Sequence, residues 1–142
     1  MFQQDVDRLR EAYRAFNEGG VGAFLERLAP DFQVSDRNSS PDRETRFGKE
    51  GIKQLFDSYM EAFDALRLEP DEFIEAGEEI VVSLHQWVRG KGSGAEVAGR
   101  IAHVWTVRGA DVMRLRIFGD KEQALETLRA EGQLERPRAD PG

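Results

Sequence analysis

The chain has 142 residues, a net charge of −7 and no cysteine. One domain of this length buries roughly 68–70% of its unfolded surface, so it needs no disulfide or metal staple. The missing cysteines exclude disulfides, thiolate zinc sites and cysteine nucleophiles, and the acidic balance argues against nucleic acid and anionic lipid as partners.

No apolar run approaches about 18 residues, the length that a membrane-spanning helix needs. The opening Met1-Phe-Gln-Gln-Asp-Val-Asp7 is acidic and helical in pattern, which does not fit a secretory signal, so the expected compartment is the cytoplasm. Two histidines, His85 and His103, are too few for a histidine-based metal centre without much carboxylate help.

Val6, Leu9, Tyr13 and Phe16 recur at helical spacing and predict a first helix over residues 4–17, stopped by Asn17-Glu-Gly-Gly20. Val21, Phe24, Leu25 and Leu28 predict a short second helix closed by Pro30. Phe32, Val34 and Asp36 alternate with Gln33 and Ser35 as in a strand, and residues 38–44 form a polar loop. A third helix is expected over 49–64, with Ile52, Leu55, Phe56, Tyr59, Met60 and Phe63 on one stripe.

After Pro70 the period changes to two. Residues 72–76, 79–89, 96–108 and 112–118 read as strands, with a hairpin loop at 90–94 and a turn at 108–111. Asp120 and Gln123 fit a capping box that opens a last helix carrying Ala124, Leu125 and Leu128. A domain over 1–130 and a flexible tail over 131–142 are expected. Helices followed by a strand meander give an α+β class: a curved mixed or antiparallel sheet wrapped on three N-terminal helices, with a hollow between.

The segment Arg100-Ile-Ala-His-Val-Trp-Thr-Val-Arg-Gly109 places a histidine on an otherwise apolar face. If Val107 pairs with Val112 across the turn, one face carries Ile101, His103, Trp105, Arg114, Arg116 and Phe118. The other carries Ala102, Val104, Met113, Leu115 and Ile117. Two readings stay open. Either the apolar face is core and the mixed face meets solvent, or both are covered, the apolar one by a second copy of the chain and the mixed one by a cavity. Likewise Asp36 fits both a base at the end of an apolar strand and an ordinary turn residue, and His103 both a donor and a satisfied interior histidine. Trp105 is either paired with Arg114 or the flat wall for a ring, and Tyr59 and Phe56 on the third helix fit either the opposite wall or plain core, with core the better fit for Phe56.

Several pieces together resemble the SnoaL-like polyketide cyclases of the nuclear-transport-factor-two-like superfamily, whose relatives include the ketosteroid isomerases. They are Ala15-Phe-Asn-Glu-Gly19, Leu28-Ala-Pro-Asp-Phe32, Gly48-Lys-Glu-Gly-Ile52, Gly92-Ser-Gly94, Ala102-His-Val-Trp-Thr-Val107 and Arg116-Ile-Phe-Gly-Asp120. The resemblance implies a cone with a pocket at its open end and favours the covered-face reading, in which a homodimer buries the apolar Ala102, Val104, Met113, Leu115 and Ile117 face; the expected ligand is a small hydrophobic molecule. The resemblance sets Asp36 at the isomerases' base, His103 at their acidic donor, Phe118 at a pocket aromatic and Tyr13 near their tyrosine, with Arg114 and Arg116 inside the cone.

The implied activity is cofactor-free acid–base isomerisation or cyclisation of a carbonyl compound, with Asp36 and His103 catalytic. Tyr13, Tyr59, Trp105, Arg114, Arg116 and Phe118 would bind the ligand. Two other activities fit the same fold: an epoxide hydrolase using Asp36 and Arg116, or a dimeric ligand-binding domain without turnover.

Overall fold

The structure, a computed structural model, describes residues 2–26, 28–29, 31–36, 45–108 and 111–133. The polar loop at 38–44, the centre of the turn at 108–111, Pro30 and the tail from 134 onward lie outside these residues.

The first two expected helices run as one element, α1 (Phe2–Leu25), bent at Gly20, whose φ of 75° and ψ of −163° break the helical path. That conformation costs glycine little and other residues more, which is why the Gly19-Gly20 stop becomes a kink. Val6, Leu9, Ala12 and Tyr13 bury one stripe of the first segment, and Phe24 buries the second. The helix stops at Leu25, and Leu28 follows in a turn whose N–H donates to the Leu25 carbonyl.

Strands β1 (Gln33–Asp36) and β2 (Thr45–Phe47) pair antiparallel before α2 (Gly48–Met60). A Cβ on Gly51 would lie 2.9 Å from the Arg46 carbonyl carbon, so only glycine lets α2 sit this close to β2. The remaining elements are β3 (Phe63–Ala76), β4 (Glu79–Gly90), β5 (Glu96–Arg108), β6 (Asp111–Phe118) and α3 (Lys121–Ala130).

The sheet order is β2-β1-β6-β5-β4-β3, with β1 parallel to β6 and the other neighbours antiparallel. The sheet does not close; β2 and β3 are its edges, and the architecture is the expected α+β cone. β3 is longer than the 72–76 expected, and it claims Phe63 from the helix. Pro70 does not end the strand as the sequence pattern suggests. An edge strand tolerates proline, and the ladder absorbs it with a register shift between Pro70 and Glu72.

The decisive difference lies in β6. Val107 pairs with Val112 as expected, but the next pair is Thr106 with Arg114, so Met113 is an extra residue on β6. A single-residue bulge moves every later side chain to the opposite face. Trp105 therefore pairs with Leu115, His103 with Ile117 and Val104 with Arg116.

The inner face carries Ile101, His103, Trp105, Leu115 and Ile117, packed under α1 and α2. The outer face carries Ala102, Val104, Arg114, Arg116 and Phe118. Helix α3 covers this second cluster with Ala124, Leu125 and Leu128. The apolar face assigned by the sequence to a second copy is thus split, half turned inward and half capped by α3, and the motive for a dimer through it disappears.

Asp120 caps α3, accepting from the Gln123 N–H at 2.8 Å. The Gln123 side chain reaches the Asp120 carboxylate instead of returning to its backbone. Beyond α3, Glu131 bonds Arg116, and the Gln133 N–H donates to the Leu128 carbonyl. No helix among the described residues is long and apolar enough to cross a membrane.

Candidate active site

The inner face of the sheet, α1 and α2 line a partly open cavity of about 80 Å³. Its walls are mainly apolar, from Phe24, Leu55, Leu68, Trp105, Leu115 and Ile117 among others. Tyr13, Tyr59, Gln86 and His103 supply polarity. Gln86 is the one polar wall residue that the sequence reading misses, although a signal for it exists. It continues the inward alternation Ile80, Val82, Leu84 and is the first polar residue in that series.

Asp36 ends β1 and pairs with Ile117 of β6, which in turn pairs with His103 of β5. Directly paired residues share a face, so carboxylate and imidazole stand on the inner face on either side of Ile117. Two interstrand spacings separate their backbones, roughly 9–10 Å. Both are buried, at 2% and 3% exposure. The Tyr59 hydroxyl, from α2, donates to Asp36 Oδ2.

His103 is held from α1. Its Nδ1 lies 2.6 Å from the Tyr13 hydroxyl, and the Trp105 indole N–H donates to the same hydroxyl at 2.9 Å. The Tyr13 and His103 rings are within 14° of parallel. Burial lowers the His103 pKa from 6.5 to about 3, and the negative charge of Asp36 opposes this only partly. The imidazole is therefore neutral at ordinary pH. Burial also raises the Tyr13 phenol well above its usual value, the Trp105 bond working weakly the other way, so Tyr13 keeps its proton.

Three sequence-predicted ligand residues lie elsewhere. Arg116 is buried on the outer face, with Nη1 at 2.8 Å from Glu131 Oε2 and Nη2 at 3.8 Å from Glu79 Oε1. Arg114 donates to Glu79 and to Thr106, so it does not stack on Trp105. Phe118 packs in the cluster under α3. All three follow the bulge at Met113. On the outer face Arg116 cannot join Asp36 in an epoxide hydrolase set.

His85 is on the outer side near Asp71, with Nε2 at 3.4 Å from Oδ2. Among the described residues no group of three His, Asp or Glu side chains is placed to hold a metal ion.

Residues 9–115 match the family model described as a SnoaL-like domain, about three quarters of the chain. The chain belongs to the SnoaL-like domain family. No curated protein matches this SnoaL-like chain in sequence.

Among solved structures it resembles TerC co-crystallised with polyporic acid, at 23% identity and a TM-score of 0.71 over 87% of this chain and 95% of that one. It is similar to an NTF2-like protein of unknown function from Burkholderia pseudomallei, at 25% identity and a TM-score of 0.71 over the same shares, 87% and 95%. It also resembles a Mycobacterium tuberculosis protein in complex with estradiol-17β-hemisuccinate, at 18% identity and a TM-score of 0.67 over 82% and 94% of the two chains. Likenesses this distant establish a shared fold, while function in a common fold follows the site.

Proposed function

We propose that this SnoaL-like chain binds a small hydrophobic carbonyl compound in the cavity and transfers a proton on it, as an isomerase or cyclase does. The observation that carries this reading is the placement of one carboxylate and one neutral imidazole on the same buried face, flanking Ile117. Asp36 takes the proton next to the carbonyl. His103, neutral, donates a hydrogen bond to the oxygen that becomes negative. This division of labour between base and oxyanion donor requires both groups within hydrogen-bond reach of one substrate. His103 lines the cavity, and Asp36, which is not among the lining residues, stands across Ile117 from it, so the substrate has to reach the carboxylate past the Ile117 side chain.

Tyr59 holds the Asp36 carboxylate in place, and Trp105 gives a ring a flat wall. The chemistry uses no metal or organic cofactor, since only a proton moves.

A second reading keeps the ligand and drops the turnover. The largely apolar wall favours it, and both TerC and the M. tuberculosis protein were crystallised with small molecules. Proton exchange separates the two. In D₂O, with a panel of single-ring ketones and enones, an enzyme incorporates deuterium at the carbon next to the carbonyl, and Asp36→Asn abolishes the incorporation. Ligands that bind in the cavity without any protein-dependent exchange leave the binding reading in possession.

A further inference from the structure

We infer that Trp105 and Tyr13 act as positioning residues that fix His103 in the tautomer with its proton on Nε2, so that the cavity presents a hydrogen-bond donor and accepts ligands through an oxygen acceptor. The inference rests on reading the cavity as a ligand site, and it follows from counting donors.

An indole N–H can only donate, so at 2.9 Å the Tyr13 oxygen must accept from Trp105. Tyr13 retains its own proton, because burial disfavours the phenolate. One proton lies in the 2.6 Å contact between the Tyr13 hydroxyl and His103 Nδ1. If the histidine supplied it, the Tyr13 oxygen would accept twice and its O–H would need another acceptor. Among the described residues the hydroxyl bonds only Trp105 and His103, so that arrangement would leave a buried donor unpaired. Tyr13 therefore donates, and Nδ1 accepts.

A neutral imidazole that accepts at Nδ1 carries its proton at Nε2. His103 makes no hydrogen bond through Nε2 among the described residues, and its ring lines the cavity. The chain Trp105 to Tyr13 to His103 thus sets the polarity of the pocket. It favours a carbonyl, enolate or phenolate oxygen there and disfavours a hydroxyl or amine that must donate. It also changes the role of Tyr13, whose hydroxyl is spent on His103 and is not offered to a ligand.

The test is long-range ¹H–¹⁵N NMR of the intact protein at neutral pH. His103 and His85 are the only two histidines, and exposed His85 is an internal reference. The expected result is an unprotonated Nδ1 and a protonated Nε2 on His103. A proton on Nδ1 overturns the inference. In Tyr13→Phe the tautomer is expected to become mixed, and an unchanged pure Nε2–H form also overturns the positioning role. The wild-type spectrum needs no variant, so a Tyr13→Phe protein that fails to fold leaves the test intact. The expected tautomer together with no proton exchange on any carbonyl compound removes the enzymatic reading and leaves this inference standing. The reverse tautomer overturns this inference and with it the donor role of His103, while deuterium incorporation that Asp36→Asn abolishes would still support proton transfer with a different oxygen donor.

Discussion

Alternate residues of β5 and β6 solve one problem, a buried polar group, in two different ways. On the outer face the solution is charge compensation. Arg116, 3% exposed, lies among Glu79, Glu131 and the neighbouring Arg114, beneath α3. On the inner face the solution is neutrality, where His103 loses its charge to burial and Tyr13 and Trp105 satisfy it through a neutral hydrogen-bond chain. A salt-bridge cluster engages its charges with one another. The neutral chain ends on a nitrogen that faces a cavity. The comparison teaches that burial of polarity alone does not mark a site; the site is the face where a polar group remains turned toward a cavity.

The largest effects should appear on the inner face, in rate and not in stability. Asp36→Asn is expected to keep the fold and lower turnover of a carbonyl substrate about 10²–10⁴-fold, the usual loss for a general base. His103→Ala should lower it about 10²–10³-fold, the loss for one oxyanion donor. Steady-state kinetics with circular dichroism as a folding control checks both, and wild-type rates in both variants would reduce the inner face to a binding surface.

The outer face should answer in stability instead. Arg116→Met leaves the buried Glu79 with less compensation, and a buried pair broken on one side costs about 3–5 kcal/mol. The double replacement Arg116→Met with Glu79→Met should cost less than the single one, because it leaves no lone carboxylate in the cluster core. Urea unfolding of wild type, both single variants and the double variant closes the cycle, and a double cost equal to the sum of the two single costs would mean that the two side chains are not coupled.

A smaller effect separates the faces by pH. Unfolded His103 binds a proton below about 6.5, while in the folded chain it binds one only near 3. Between those values the unfolded state holds more protons, so stability is lost as pH falls, by up to about 1.4 kcal/mol per pH unit. His103→Gln should show a flatter slope between pH 6 and pH 4 in urea melts, and a slope equal to wild type contradicts a buried neutral histidine. The smallest expected effect is on the cover of the outer face. Asp120→Ala removes the α3 cap and should cost about 1 kcal/mol in the same assay, without change at the cavity.

Most of this architecture is legible in the sequence because it rests on periodicity. The stripes Val6-Leu9-Tyr13 and Ile52-Leu55-Tyr59 give the helices, and Asp120 with Gln123 gives the start of α3. Alternation puts Asp36 and His103 each on a partly apolar strand face, and the resemblance alone turns both toward one hollow. The register of β6 follows from neither. Val112 and Met113 are both apolar, so nothing in the pattern marks the bulge, and both faces of β5 are apolar enough to accept either pairing. An unbroken register puts Arg114, Arg116 and Phe118 inside for that reason alone. Pairings across long separations are equally silent. Tyr13 lies 90 residues from His103, and Tyr59 lies 23 from Asp36, so the hydrogen bonds that define the site emerge only from the fold.

The proposed donor at His103 serves a ligand oxygen on the inner face, across Ile117 from the Asp36 carboxylate. Its most direct test is a crystal structure of the chain with a small phenol such as 4-nitrophenol, whose phenolate oxygen stands in for an enolate oxygen. The expected complex has the ring against Trp105 and the oxygen about 2.7–3.1 Å from His103 Nε2, the geometry of an oxyanion donor. A phenol seated in the cavity with its oxygen turned away from His103, or bound only outside the cavity, would contradict it.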